Sequence, residues 1–215
     1  MQWNSIISLV LVAGLATLSM AANQDRVTPA EIPVHDCLVE ARSMDLALQG
    51  LANQYKIVIG IDFKGRPGQK PVSAFVAEGV FADVLNALVV SDPGYVWSVE
   101  PSGAIHFRSR SGAPTLPDMM VDKFVVKEVP AARLQTAIHQ VPEVRQWTER
   151  NHCPDRTFFV VLGQIDLGGG PKISLDLSHV TFGQILDELA LKSGSYSWAV
   201  NTYELEGRCY SSIVF

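Results

Sequence analysis

Residues 81–99 read FADVLNALVVSDPGYVWSV, and residues 182–200 read FGQILDELALKSGSYSWAV. Laid over one another at an offset of 101, the two stretches keep Phe81/Phe182, Leu85/Leu186, Leu88/Leu189, Tyr95/Tyr196, Trp97/Trp198 and Val99/Val200 identical, and Val84 meets Ile185. In each, Phe81, Val84, Leu85 and Leu88, or Phe182, Ile185, Leu186 and Leu189, fall at i, i+3, i+4 and i+7, which is one apolar face of a short helix. Breakers follow at once, Asp92-Pro93-Gly94 in one copy and Ser193-Gly194-Ser195 in the other. Large residues then alternate through Tyr95-Val96-Trp97-Ser98-Val99 and Tyr196-Ser197-Trp198-Ala199-Val200, the pattern of a strand.

Outward from these stretches the match runs without a gap from Ile57 on Phe158 to Val99 on Val200, adding Ser73/Ser174 and the apolar exchanges Val72/Ile173 and Val76/Leu177. Upstream, residues 57–63 and 158–165 are β-rich runs, followed by Gly/Pro loops at 64–70 and 168–172 and then another strand. Before them stand an extended segment and a helix, residues 34–40 then 43–54 in one copy, and 123–129 then 131 onward in the other. Last strands lie near residues 104–108 and 209–215. The expected fold class is therefore α+β: two repeated β-α-β-β-α-β-β modules, each with two helices packed between small mixed sheets.

The first helices align, Leu51 on Ile138, only at an offset near 87, so the second copy carries about 14 extra residues around 140–155. This insertion holds Pro142, Trp147, His152, Cys153 and Pro154. Pro142, which has no N–H for the helix ladder, ends the preceding helix, and a short helix over 143–151 is expected after it. The domain division is a signal peptide at 1–21, a first module at 30–110, a breaker-rich linker at 111–120 and a second module at 121–215.

The leader reads MQWNSIISLVLVAGLATLSMAANQ, an apolar run from Ile6 to Leu18 closed by Ser19-Met20-Ala21, which suits signal peptidase cleavage after Ala21, with Ala22 as the alternative site. No Lys or Arg precedes the apolar core, which keeps a retained anchor as the competing reading. The run is short for a membrane span, and no later stretch approaches ~20 apolar residues, so no stable membrane insertion is expected after cleavage. Export places the chain in the periplasm. A net charge of −5 with interspersed acids and bases disfavours nucleic acid as a partner.

The run SMDLALQGLANQYKIVIGID at 43–62, with Val72-Ser73 and VFADVLNAL at 80–88 downstream, resembles the secretin and TonB N-terminal short domain. Ala47-Leu48, Leu51-Ala52 and Ala87-Leu88 carry the likeness in the first copy, and ISLDL at 173–177 with TFGQILDEL at 181–189 carries it in the second. The resemblance implies two helices between a two-stranded and a three-stranded sheet, a docking role at the envelope, and no catalytic residues. Neither a secretin ring nor a transporter barrel or plug is read in these residues after the modules, and Phe215 is read as an ordinary strand end.

Among candidate sites, Cys153 and Cys209 belong to one module, and a disulfide between them closes a loop of roughly 55 residues, contributing ~4 kcal/mol on the chain-entropy model. Cys37 bonded to either is the alternative, and Cys37 alone reads as a small buried residue. His35, Asp36, Cys37, His152 and Cys153 have metal-ligand chemistry without zinc spacing, so no metal or other cofactor is expected. His35, His106, His139, His152 and His179 are scattered, no G-x-S-x-G surrounds a serine, and Gly168-Gly169-Gly170 lacks the Lys of a phosphate loop, so no catalytic residue and no enzyme activity is expected. Tyr95, Trp97, Tyr196 and Trp198 read as core rather than as a sugar platform. Trp147, without a counterpart in the first copy, is an interface candidate; edge-strand addition is the expected docking mechanism, and the resemblance implies residues 34–40 and 71–76 as the strands that offer it, with Val34, Val39, Val72 and Phe75 as candidate interface residues. The expected function is non-catalytic docking to another envelope protein, linked to secretion or to TonB-dependent transport or signalling. A binding protein for a glycan or peptide, using the groove between modules, and an envelope enzyme are the alternatives.

Overall fold

A computed structural model describes residues 28–64, 70–110, 115–151, 158–160, 171–205 and 208–215. The leader, residues 111–114 of the linker, Cys153 and the 168–170 glycine run lie outside them. The first half runs β1 (Pro33–Ala41), α1 (Met44–Tyr55), β2 (Ile59–Lys64), β3 (Val72–Val80), α2 (Phe81–Ser91), β4 (Tyr95–Val99) and β5 (Ile105–Ser109). The second runs β6 (Met120–Pro130), α3 (Leu134–His139), α4 (Pro142–Arg150), β7 (Phe158–Val160), β8 (Lys172–Thr181), α5 (Phe182–Ser193), β9 (Ser197–Leu205) and β10 (Arg208–Val214). The class is α+β. Within the 140–155 segment, α3 stops at His139 and Pro142 occupies the first turn of α4, where its missing N–H costs nothing.

Local signals account for the helix limits. Thr181 Oγ1 accepts the Gln184 N–H (3.2 Å) while Gln184 Oε1 accepts the Thr181 N–H (2.9 Å), a capping box that starts α5. Gly194, at φ 75°, ends it in the left-handed conformation. Asp83 Oδ2 accepts the Val80 N–H (2.9 Å) at the start of α2, and Lys56, at φ 56°, closes α1.

β1 pairs antiparallel with β3, and β6 with β8, as separate two-stranded ribbons. The remaining strands form one six-stranded mixed sheet in the order β4-β5-β2-β9-β10-β7. In the first half β2 is parallel to β5 and β4 antiparallel to it; in the second β7 is parallel to β10 and β9 antiparallel to it. The expectation of a separate small mixed sheet in each half is corrected here, because β2 also pairs in parallel with β9, from Ile59↔Ser197 to Lys64↔Thr202, and joins the halves.

That junction puts the two helix layers on opposite faces of the sheet. Directly opposed strand residues share a face, and successive residues alternate. Ile59, Ile61 and Phe63 point into a core with α1 and α2, together with Val34, Cys37, Val39 and Val72 of the first ribbon. Trp198 and Val200, opposed to Gly60 and Asp62, point the other way, into a core with α3, α4 and α5. The alternate residues of β2 and β5 are consequently covered too: Gly60 lies under Trp198, and Asp62 and His106 are buried.

Candidate functional site

The junction is built from Gly60 upward. A Cβ at this position would overlap the Trp198 indole ring, so glycine is what allows the aromatic to lie across β2. The indole Nε1–H donates to Asp187 Oδ1 (2.7 Å), and His106 Nε2–H donates to the same carboxylate (2.9 Å to Oδ1, 3.1 Å to Oδ2). The carboxylate accepts both, which fixes the hydrogen on Nε2 of the imidazole. His106 and Trp198 also meet edge to face, with centroids 5.1 Å apart. Across the ring, Nδ1 lies 3.4 Å from Glu100 Oε1 and 3.3 Å from Arg108 Nη2. Arg108 donates to Glu100 Oε1 (3.2 Å) and to Asp118 Oδ1 (2.8 Å), and Asp118 Oδ2 accepts the Thr115 N–H (3.0 Å). The network therefore runs from β5 through the approach to β6 to α5 and β9. His106, Asp187 and Trp198 are 2%, 4% and 1% exposed, so the network is enclosed, and its hydrogen bonds fix how one half sits on the other.

Gly183 lets α5 approach closely. A Cβ there would lie 3.3 Å from His106 Cε1 and from the Pro117 carbonyl oxygen. At the first ring of aromatic neighbours, Lys56 Nζ sits 5.0 Å from the Tyr196 ring centroid, so a cation–π contact ties the end of α1 to the start of β9.

The candidate interface residues fall in two groups. Val34, Val39 and Val72 point inward and are buried, whereas Phe75 is 60% exposed on the outer face of the β1–β3 ribbon. Directly opposite Phe75 stands Leu38, 61% exposed, which sequence reasoning missed. Asp36, at φ 46°, is the cause: it interrupts the pairing between His35↔Glu78 and Cys37↔Val76, so Val34 and Cys37 both point inward and Leu38 points out. In the second ribbon the pair at the same register is Val125↔Asp176, and Lys123 Nζ is 3.9 Å from Asp176 Oδ1. Among the described residues neither ribbon pairs with a further strand.

Trp147 is half-buried on α4 and packs against the second core. Cys37 is a free, buried thiol that accepts the Tyr55 hydroxyl at 3.7 Å, and Cys209 stands on β10 opposite Glu204. Burial, reinforced by that bond to Cys37, pushes the Tyr55 hydroxyl up to about 12. A depression of about 420 Å³, lined by Glu40, Ala41, Arg42, Pro71, Val72 and Ser73, opens at the end of the first ribbon rather than between the halves. Among the described residues no group of three or more His, Cys, Asp or Glu side chains gathers in metal-holding geometry, and no helix is long and apolar enough to cross a membrane.

The fold and these surfaces define an α+β protein whose halves share one sheet through a buried polar junction and which, among the described residues, displays two open ribbons. No family model, curated protein or solved structure matches the chain.

Proposed function

We propose that this is a non-catalytic docking protein of the cell envelope, exported to the periplasm and made of two copies of a module resembling the secretin and TonB N-terminal short domain. The two copies are supported by the parallel order of elements and pairings in the halves and by the ribbon registers, Leu38↔Phe75 and Val125↔Asp176, which follow the sequence offsets of 87 and 101. The single observation that carries the docking role is the Leu38–Phe75 pair. Two large apolar side chains stand opposite one another, both about three-fifths exposed, on a ribbon whose two outer edges are open among the described residues. An apolar pair flanked by open backbone N–H and C=O groups suits strand addition by a partner, in which the backbone supplies affinity and the pair supplies specificity. The second ribbon, with a carboxylate at Asp176, is the non-binding counterpart.

A photo-crosslinking side chain placed at Phe75 in the periplasm should yield a discrete adduct with another envelope protein, and the same group at Asp176 should yield none. Absence of an adduct at Phe75, or the same adduct from both positions, overturns the docking role of the first ribbon. Mass measurement of the mature chain tests export: its N-terminus is expected at Ala22. Peptide mapping without reduction tests the Cys153–Cys209 bond, which the free Cys37 supports by leaving those two cysteines in one module.

A further inference from the structure

We infer that the edge of β4, which is open among the described residues, is with the adjoining face of α2 a docking site for an extended strand of another protein, added parallel to β4 with a glycine beneath Trp97. The molecule carries its own template for this geometry. In the second half, the corresponding edge of β9 receives β2 in parallel, with Gly60 beneath Trp198 and the indole N–H bonded to Asp187. In the first half the same parts are present and open. Trp97 Nε1–H donates to Asn86 Oδ1 (3.0 Å), and Asn86 falls on Asp187 at the offset of 101. Asn86 is exposed where Asp187 is buried, and Trp97 is half-exposed where Trp198 is 1% exposed. The partly exposed Ala82 and Val89 of α2 likewise answer to the buried Gly183 and Ala190 of α5.

The backbone of β4 is oriented for the same use. Arg110 N–H donates to Gly94 O and Glu100 N–H to Ala104 O, so the inward-bonding residues of β4 are Val96 and Ser98, while Trp97 and Val99 direct their N–H and C=O groups away from β5. The Tyr196 carbonyl accepts the Ile59 N–H (3.0 Å), and the Tyr95 carbonyl, at the equivalent position, is held instead by Arg110 Nε (3.3 Å). Arg110 thus acts as a displaceable guard on an edge that also exposes Val96 and Val99. A second copy of this chain is a poor occupant. Its β2 is already paired on both sides, and the residue that falls on Gly60 at the offset of 101 is Val161, whose side chain would fill the space the indole needs. The partner is therefore a different protein, offering an alternating apolar strand with glycine at the position under Trp97.

The site is independent of the β1–β3 ribbon, and its test is separate. The probe is the peptide of residues 57–64, IVIGIDFK, presented on a soluble carrier to the full-length chain. Binding should protect the Trp97 and Val99 amides from hydrogen exchange and shift the Trp97 resonances. Replacing the peptide glycine by valine (G60V) should weaken binding at least tenfold. Methylating the peptide nitrogen of Ile61, which by alternation from Ile59 faces the receiving strand, should abolish it. The chain variant Val99→Pro, which removes an outward N–H, should also lose binding, and the methylated peptide decides the matter if that variant does not fold. Absence of binding at millimolar peptide, equal binding of the valine peptide, or protection that maps to β1, β3 or β9 rather than β4 would overturn the assignment.

Discussion

Asp187 turns a position shared by both halves from surface into interior. Its carboxylate is the common acceptor for an indole and an imidazole N–H, so Asp187→Ala leaves two buried donors without their partner. A loss of about 3 kcal/mol is expected, seen as a fall in Tm of roughly 8 °C. Asp187→Asn should cost less, because a carboxamide oxygen takes the indole bond at Asn86 in the first half. Gly60→Ala forces the Trp198 ring to move and should destabilise by roughly 2 kcal/mol through overpacking. Calorimetry of the three variants ranks them, and an Asp187→Ala protein as stable as the parent would refute the structural role of the network. The tyrosines offer a pH test. Burial first, and then the negative charges of Asp92, Asp45 and Asp62, push the Tyr95 hydroxyl up to about 12, as burial does for Tyr55. Both groups ionise in the unfolded chain near the ordinary value of 10.0. Their contribution is thus complete below pH 10 and lost as pH rises through about 12. Phenolate absorbance should show two late-titrating tyrosines, with denaturant stability falling over the same interval.

At the level of elements, periodicity made the helices and ribbons legible in the sequence. Phe81, Val84, Leu85 and Leu88, and their counterparts in α5, are all 0% exposed, as the i, i+3, i+4, i+7 spacing requires. The outward face of β1 was not legible in this way: the family resemblance nominates Val34 and Val39 on that strand, whereas the left-handed Asp36, which strict alternation has no means of anticipating, leaves Leu38 as the exposed residue. A short polar residue that tolerates positive φ, placed between two apolar residues three apart, is the signal that was present. The corrected face yields a sharp expectation for Phe75→Asp, which gives the first ribbon the carboxylate that the second bears at Asp176. The side chain is 60% exposed, so stability should change by less than about 1 kcal/mol. Crosslinking from a neighbouring ribbon position should nonetheless disappear. A variant that melts with the parent and still captures the partner would separate the apolar pair from docking.

At the level of the whole molecule, the β2–β9 seam decides what kind of folding unit the two halves make, and it left only a faint trace in the sequence. The run Ile59-Gly60-Ile61-Asp62-Phe63 reads as a strand with one apolar face, and the acidic Asp62 does not announce that the opposite face is also covered. An isolated glycine between Ile59 and Ile61 hinted at close approach, but its occupant, Trp198, lies far along the chain in the other half. Offsets that reveal similarity between halves carry no information about how the halves meet. Because β2 is bonded on one side to its own half and on the other to β9, separating the halves breaks a parallel ladder of six residue pairs, bares Trp198 and opens the His106–Asp187 bond. Neither half should therefore melt while the other remains native, and the described halves should unfold in one transition despite having two cores. Denaturant curves of the parent protein followed by far-ultraviolet circular dichroism should coincide with those followed by its tryptophan fluorescence. Gly60→Ala is the informative perturbation: by loosening the seam it should lower both curves and begin to split them. Two well-separated transitions in the parent protein would instead mean that the six-stranded sheet is a docked pair of independent sheets.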